Sequence, residues 1–95
     1  MAQVSSTEDS VRALSSMLGS DVKTKFTNSD SGYASANGTL EDGTRFSVLE
    51  IDETKNRVVS ITDKSGKRSC ESTFPTSLAT YASGNLAAKA FMAMR

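Results

Sequence analysis

Apolar and polar residues alternate most clearly between Tyr33 and Thr62, and the pattern predicts three consecutive antiparallel strands joined by two tight turns. Asp42-Gly43 separates the first two, just before the strongest β-forming run, Thr44 to Ile51. Asp-Gly is the preferred pair for a two-residue type I′ hairpin, whose central residues both need positive φ. That turn sets Thr39 opposite Phe46 and Asn37 opposite Val48, and directly opposed residues share a face. One face then carries Ala34, Ala36, Gly38 and Leu40 with Leu49 and Ile51, and it is assigned to the core. The other carries Tyr33, Ser35, Asn37 and Thr39 with Phe46, Val48 and Glu50. A second turn at Glu53–Asn56 brings Val59 and Ile61 beside Leu49 and Ile51, where they complete the core; a shift of one residue would send them to the other face.

The flanking segments add a helix at each end. Ser5-Ser6-Thr7-Glu8 has capping-box spacing and predicts a helix from about Ser6 to Leu18, with Val11, Leu14, Met17 and Leu18 on one stripe and Gly19 as its stop. Asp21 to Asn28 alternates Val22, Thr24 and Phe26 against Lys23, Lys25 and Thr27, as a half-buried strand does. Asp63-Lys64-Ser65-Gly66 reads as a type I turn leading to a polar edge strand over 67–73. Pro75 closes the sheet. From Thr76 to Arg95 the chain is helical by content, with Leu78, Ala82, Leu86, Ala90 and Met94 at four-residue spacing and a break expected at Ser83-Gly84-Asn85. The expected fold is α+β: one small domain over 1–95, an antiparallel four- to five-stranded β-meander with an N-terminal helix and a C-terminal helical segment packed mainly on one face.

Composition changes this picture in one respect. Leu, Ile, Val and Phe total 18 of 95 residues, whereas Ser and Thr total 26. Burying a large apolar side chain contributes roughly 1.5–3 kcal/mol, and ordering one residue costs roughly 1–2 kcal/mol. So lean a core favours support from an oligomer or a partner. Eleven basic and eleven acidic residues cancel, which removes the general attraction to duplex DNA or an anionic membrane. No apolar run is long enough for a transmembrane helix, and the first residues lack a secretory signal pattern. A single cysteine, Cys70, points to a reducing, cytoplasmic setting.

The candidate chemistry is sparse. Without histidine the commonest general base and zinc ligand are missing, and one cysteine cannot build a thiolate cluster. No phosphate-binding glycine motif occurs. Glu41-Asp42 and Glu50-Asp52-Glu53 read as turn carboxylates, and Cys70 as a small packing residue without a base to activate it. Asn37-Gly38-Thr39 matches a glycosylation acceptor by chance. No enzyme and no cofactor is expected.

Two surfaces remain. Tyr33, Phe46 and Val48 could offer a platform to a protein or, alternatively, to the bases of single-stranded nucleic acid. In element order alone, a meander followed by a helix resembles the Whirly-type fold, although none of that family's sequence motif is present. Phe91, Met92 and Met94 cannot all face one narrow stripe, so some are left for a partner. The expected function is a small non-catalytic protein-binding module, an adaptor, inhibitor or regulatory subunit, that grips a protein or another copy of itself.

Overall fold

A computed structural model describes residues 3–30, 33–51 and 53–94, apart from the side chains of 3–7, 27–30, 33 and 34. In chain order the elements are α1 (Gln3–Leu18), β1 (Val22–Asp30), β2 (Tyr33–Leu40), β3 (Arg45–Ile51), β4 (Asn56–Thr62), β5 (Ser69–Pro75) and α2 (Thr80–Met92). The five strands form one antiparallel meander in the order β1-β2-β3-β4-β5. Both helices lie on one face of it and pack against each other, α1 leaning over β2 and β3, α2 over β4 and β5. The expected α+β architecture is therefore the observed one.

The layer assignment is not. Chain reversal occurs at the expected place, but the loop holds three residues, Glu41, Asp42 and Gly43, and not two. Leu40 donates its amide to Thr44 O at 2.7 Å, and Gly43 donates to Leu40 O at 3.0 Å. Only Gly43 takes a positive φ, 94°, as in a type I turn completed by a left-handed glycine. Asp42 instead accepts the Thr44 amide on its carboxylate at 2.9 Å, the local bond that makes Asp a turn former. Two tertiary bonds hold the loop: Glu41 N–H to Asp21 O at 2.7 Å and Asp42 N–H to Ser20 Oγ at 3.1 Å.

One residue more in the loop shifts the ladder by one, so that Ala36 pairs with Val48 and Gly38 with Phe46. Because side chains alternate with period two, this exchanges the faces of β3, while Ala36 and Leu40 of β2 stay in the core as expected. The core is built from Leu40, Phe46 and Val48 with Val59, Ile61, Val11, Leu14, Ala87, Ala88 and Phe91. Leu49 and Ile51, assigned to the core from the pattern, lie half-buried on the helix-free face. Val59 and Ile61 do complete the core, but opposite Val48 and Phe46.

Three local corrections follow from packing. α1 begins at Gln3, ahead of the capping-box residues. A register irregularity between Val22 and Thr24 resets the alternation of β1, so Val22 packs on the core while Phe26, paired with Asn37, stands 60% exposed. A bulge of this kind re-aims side chains. Finally, α2 starts at Thr80 and runs through Ser83, Gly84 and Asn85 without a break. The small pair is buried there against α1: a β-carbon on Gly84 would meet the Ser10 carbonyl and, at 3.0 Å, the Ala13 β-carbon. Close helix approach, not flexibility, explains that glycine.

The Asp63–Gly66 turn forms as expected, Gly66 donating to Asp63 O at 3.0 Å. The Ser65 hydroxyl, donating to Asp63 Oδ1 at 2.7 Å, is the main cause that holds the Asp63 carboxyl at about 2; partial desolvation opposes it, and the Arg68 amide and guanidinium and the Gly66 amide assist. A folded-state pKa below the unfolded one adds stability above the ordinary carboxyl range, and this is lost as pH falls through about 2. Ser65→Ala should therefore move the Asp63 midpoint upward in an NMR titration, and an unchanged midpoint would show that the hydroxyl is not the dominant donor.

Candidate interaction surface

The residues singled out from the sequence separate cleanly in space. Phe46, Val48 and Phe91 are 4%, 0% and 7% exposed and belong to the core. They are thus unavailable as first contacts, because the shifted register and the α1–α2 packing turn them inward. Met92 and Met94 remain exposed, at 37% and 44%. For Tyr33 only the backbone is described, paired with Ile51 at one end of the sheet; its side chain lies outside the described residues. Glu41 and Asp42 are turn residues, and Cys70 is half-buried against the core.

The outer face of α2 emerges as the most apolar exposed surface among the described residues. Tyr81, Leu86, Ala90, Met92, Ala93 and Met94 are all exposed, and between 80 and 94 the only charged residue is Lys89. The inward stripe of the helix is Ser83, Gly84, Ala87, Ala88 and Phe91. Leu86, one of the residues noted at four-residue spacing, therefore points outward, 46% exposed. The signal that identifies the true stripe is residue size: Gly84 and Ala88, four apart, are what a neighbouring helix at close range requires. By contrast, the described outer surface of α1 carries Glu8, Asp9, Arg12 and Ser16, with Arg12 paired to Asp9 at 2.8 Å.

What holds α2 in this orientation is a buried polar network. Glu50 and Arg57 oppose each other on the covered face, with side chains 7% and 3% exposed and Arg57 Nε 2.8 Å from Glu50 Oε2. The register shift makes the arrangement necessary: it turns Glu50 inward, and a buried carboxylate without a partner is prohibitive. Arg57 also donates through Nη1 to Leu78 O at 2.9 Å and to Ser83 Oγ at 3.4 Å. Thr80 O accepts from Ser83 Oγ at 2.7 Å and from Ser10 Oγ at 2.8 Å. A single guanidinium therefore ties β3 and β4 to the segment that opens α2, and the two serines tie that segment to α1. The network is enclosed, so its chemistry is positional.

Among the described residues no further element covers the outer face of α2 or the far side of the sheet. On that far side Arg45, Ser47, Ser60 and Thr62 border a shallow depression of about 290 Å³. No helix among the described residues is long and apolar enough to cross a membrane. Comparison with protein-family models, with curated proteins and with solved structures finds no match to this chain.

Proposed function

We propose that the chain is a non-catalytic protein-binding module whose contact surface is the outer face of α2, centred on Leu86 and Met92 with Tyr81 and Met94 at its ends. The observation that carries this reading is a helix apolar on its exposed as well as its buried side, since such helices normally sit inside larger apolar surroundings. Methionine adapts to irregular partners. Lys89, the lone charge on the face, favours a partner that offers an apolar surface with one carboxylate. The polar network at the start of α2 supports the same reading, because it presents the face as a rigid element. The free Cys70 thiol suits work in a reducing cytoplasm.

Single-stranded nucleic acid is the weaker alternative. Phe46, one of the two aromatics needed for stacking, is in the core, and on the helix-free face the charges of Arg45 and Glu71 offset each other.

The double change Leu86→Asp, Met92→Asp tests the reading. Both side chains are exposed, so thermal unfolding should be little altered. Affinity capture from the native cell should retain a partner on the wild type and on a Ser16→Asp control, and lose it on the double variant. Equal capture by all three, or by none, would defeat the proposal.

A further inference from the structure

We infer that the free edge of β1 pairs with β1 of a second copy, antiparallel about a two-fold axis through Phe26, to make one continuous ten-stranded sheet.

β1 is a terminal strand of nine residues, and an uncovered edge offers a row of backbone donors and acceptors to another chain. Phe26 is the middle residue of Val22–Asp30, so an axis there lets the whole strand overlap. Among the described residues it is also the most exposed large apolar side chain, at 60%, and it stands on the helix-free face. Its neighbour in the pair would be the partner's Phe26, and aromatic pairs directly opposed across strands are favourable.

The charges of the strand choose the direction. Lys23 and Lys25 lie in its first half and Asp30 ends it. Antiparallel pairing about Phe26 sets Lys23 opposite the partner's Ser29 and Lys25 opposite the partner's Thr27, so that no lysine meets a lysine. Parallel pairing would stack lysine on lysine. Lys25 is already matched, its Nζ 3.2 Å from Glu8 Oε1, so it does not guard the edge as an unpaired lysine would.

Geometry permits the approach. A two-fold axis perpendicular to the sheet keeps both pairs of helices on the same side, and α1 leans away from β1 toward β2. Between α1 and β1 runs an open groove of about 450 Å³, with Val11 and Val22 at its base and Glu8, Arg12 and Lys25 on its rim. The two grooves would meet across the join as one trough to which both copies contribute. At the opposite edge β5 is shorter, ends in Pro75, which lacks an amide hydrogen, and exposes Glu71. Its shorter length and terminal proline make it the poorer edge for pairing.

The test uses the intact chain. Directly opposed residues place their Cα atoms about 4.5–5.5 Å apart, within the range a disulfide spans. In a Cys70→Ser background, Phe26→Cys should give a covalent dimer on mild oxidation, whereas Ser47→Cys, on an interior strand, should not. Sedimentation equilibrium should find wild-type dimer and a dissociation constant raised about tenfold by Phe26→Lys, the loss of one aromatic pair. The Leu86→Asp, Met92→Asp variant should dimerise normally, which separates this contact from the proposed α2 surface. The inference fails if the wild type is monomeric at its highest soluble concentration, if Phe26→Cys links no faster than Ser47→Cys, or if dimerisation depends on Leu86 and Met92 but not on Phe26.

Discussion

Arg57→Ala is expected to cost about 3–5 kcal/mol. The guanidinium and its partner Glu50 are nearly solvent-free, so removing one leaves the other as an uncompensated charge in the core. The same change releases Leu78 O and Ser83 Oγ and unties the start of α2. A domain of this size has about 5–14 kcal/mol of total stability, so the variant should be partly unfolded at moderate temperature. Urea denaturation followed by circular dichroism measures the loss. The pair itself need not be a large net contributor, because desolvation offsets much of the attraction. A Glu50→Leu, Arg57→Met double variant should therefore recover most of the loss, short of about 1 kcal/mol for the unpaired carbonyl. A double variant as unstable as Arg57→Ala would show that the ion pair, and not the avoided lone charge, supports the fold.

Gly84→Ala should reverse the usual sign of a glycine-to-alanine change. In an exposed helix interior alanine is favoured by about 0.8–1 kcal/mol. Here the added β-carbon would press on the Ser10 backbone and on Ala13, and backbone cannot swing aside as a flexible side chain does. Overpacking typically costs about 1–3 kcal/mol, so the net change should be a destabilisation despite the better helix former. Gly84→Leu should be worse, because it must separate α1 from α2. Chemical denaturation of the two variants tests the order. A stabilised alanine variant would mean that the helices lie farther apart than described.

The two predictions address the features least legible in the sequence. Strand β3, Arg45–Ile51, carries Phe46 and Val48 on one side and Leu49 and Ile51 on the other, so its alternation fits either layer. Asp42-Gly43 marks the reversal without stating how many residues it uses. The contacts from Ser20 and Asp21, remote in sequence, favour the three-residue loop. That loop sends Glu50 inward, where Arg57 stands opposite to receive it. In α2 the four-residue ladder of Leu78, Ala82, Leu86, Ala90 and Met94 is as regular as the ladder that packs. The smaller residues prevail because α1 leaves no room for larger ones. Of the residues on the two proposed surfaces, Met92 and Met94 stand out already in the sequence, whereas the exposure of Leu86 and Phe26 depends on a helix stripe and a bulge.

Order, number and type of the elements are set by local chemistry: turn residues at Asp42-Gly43 and Asp63–Gly66, periodicity in the strands, alanine-rich helix at the end. These features act over a few residues and need no partner to be expressed. Which side of the sheet is covered, and which side of α2 is left bare, is decided only when distant segments meet. A one-residue change in a loop costs little locally, yet it inverts every side chain of the strand that follows, here β3.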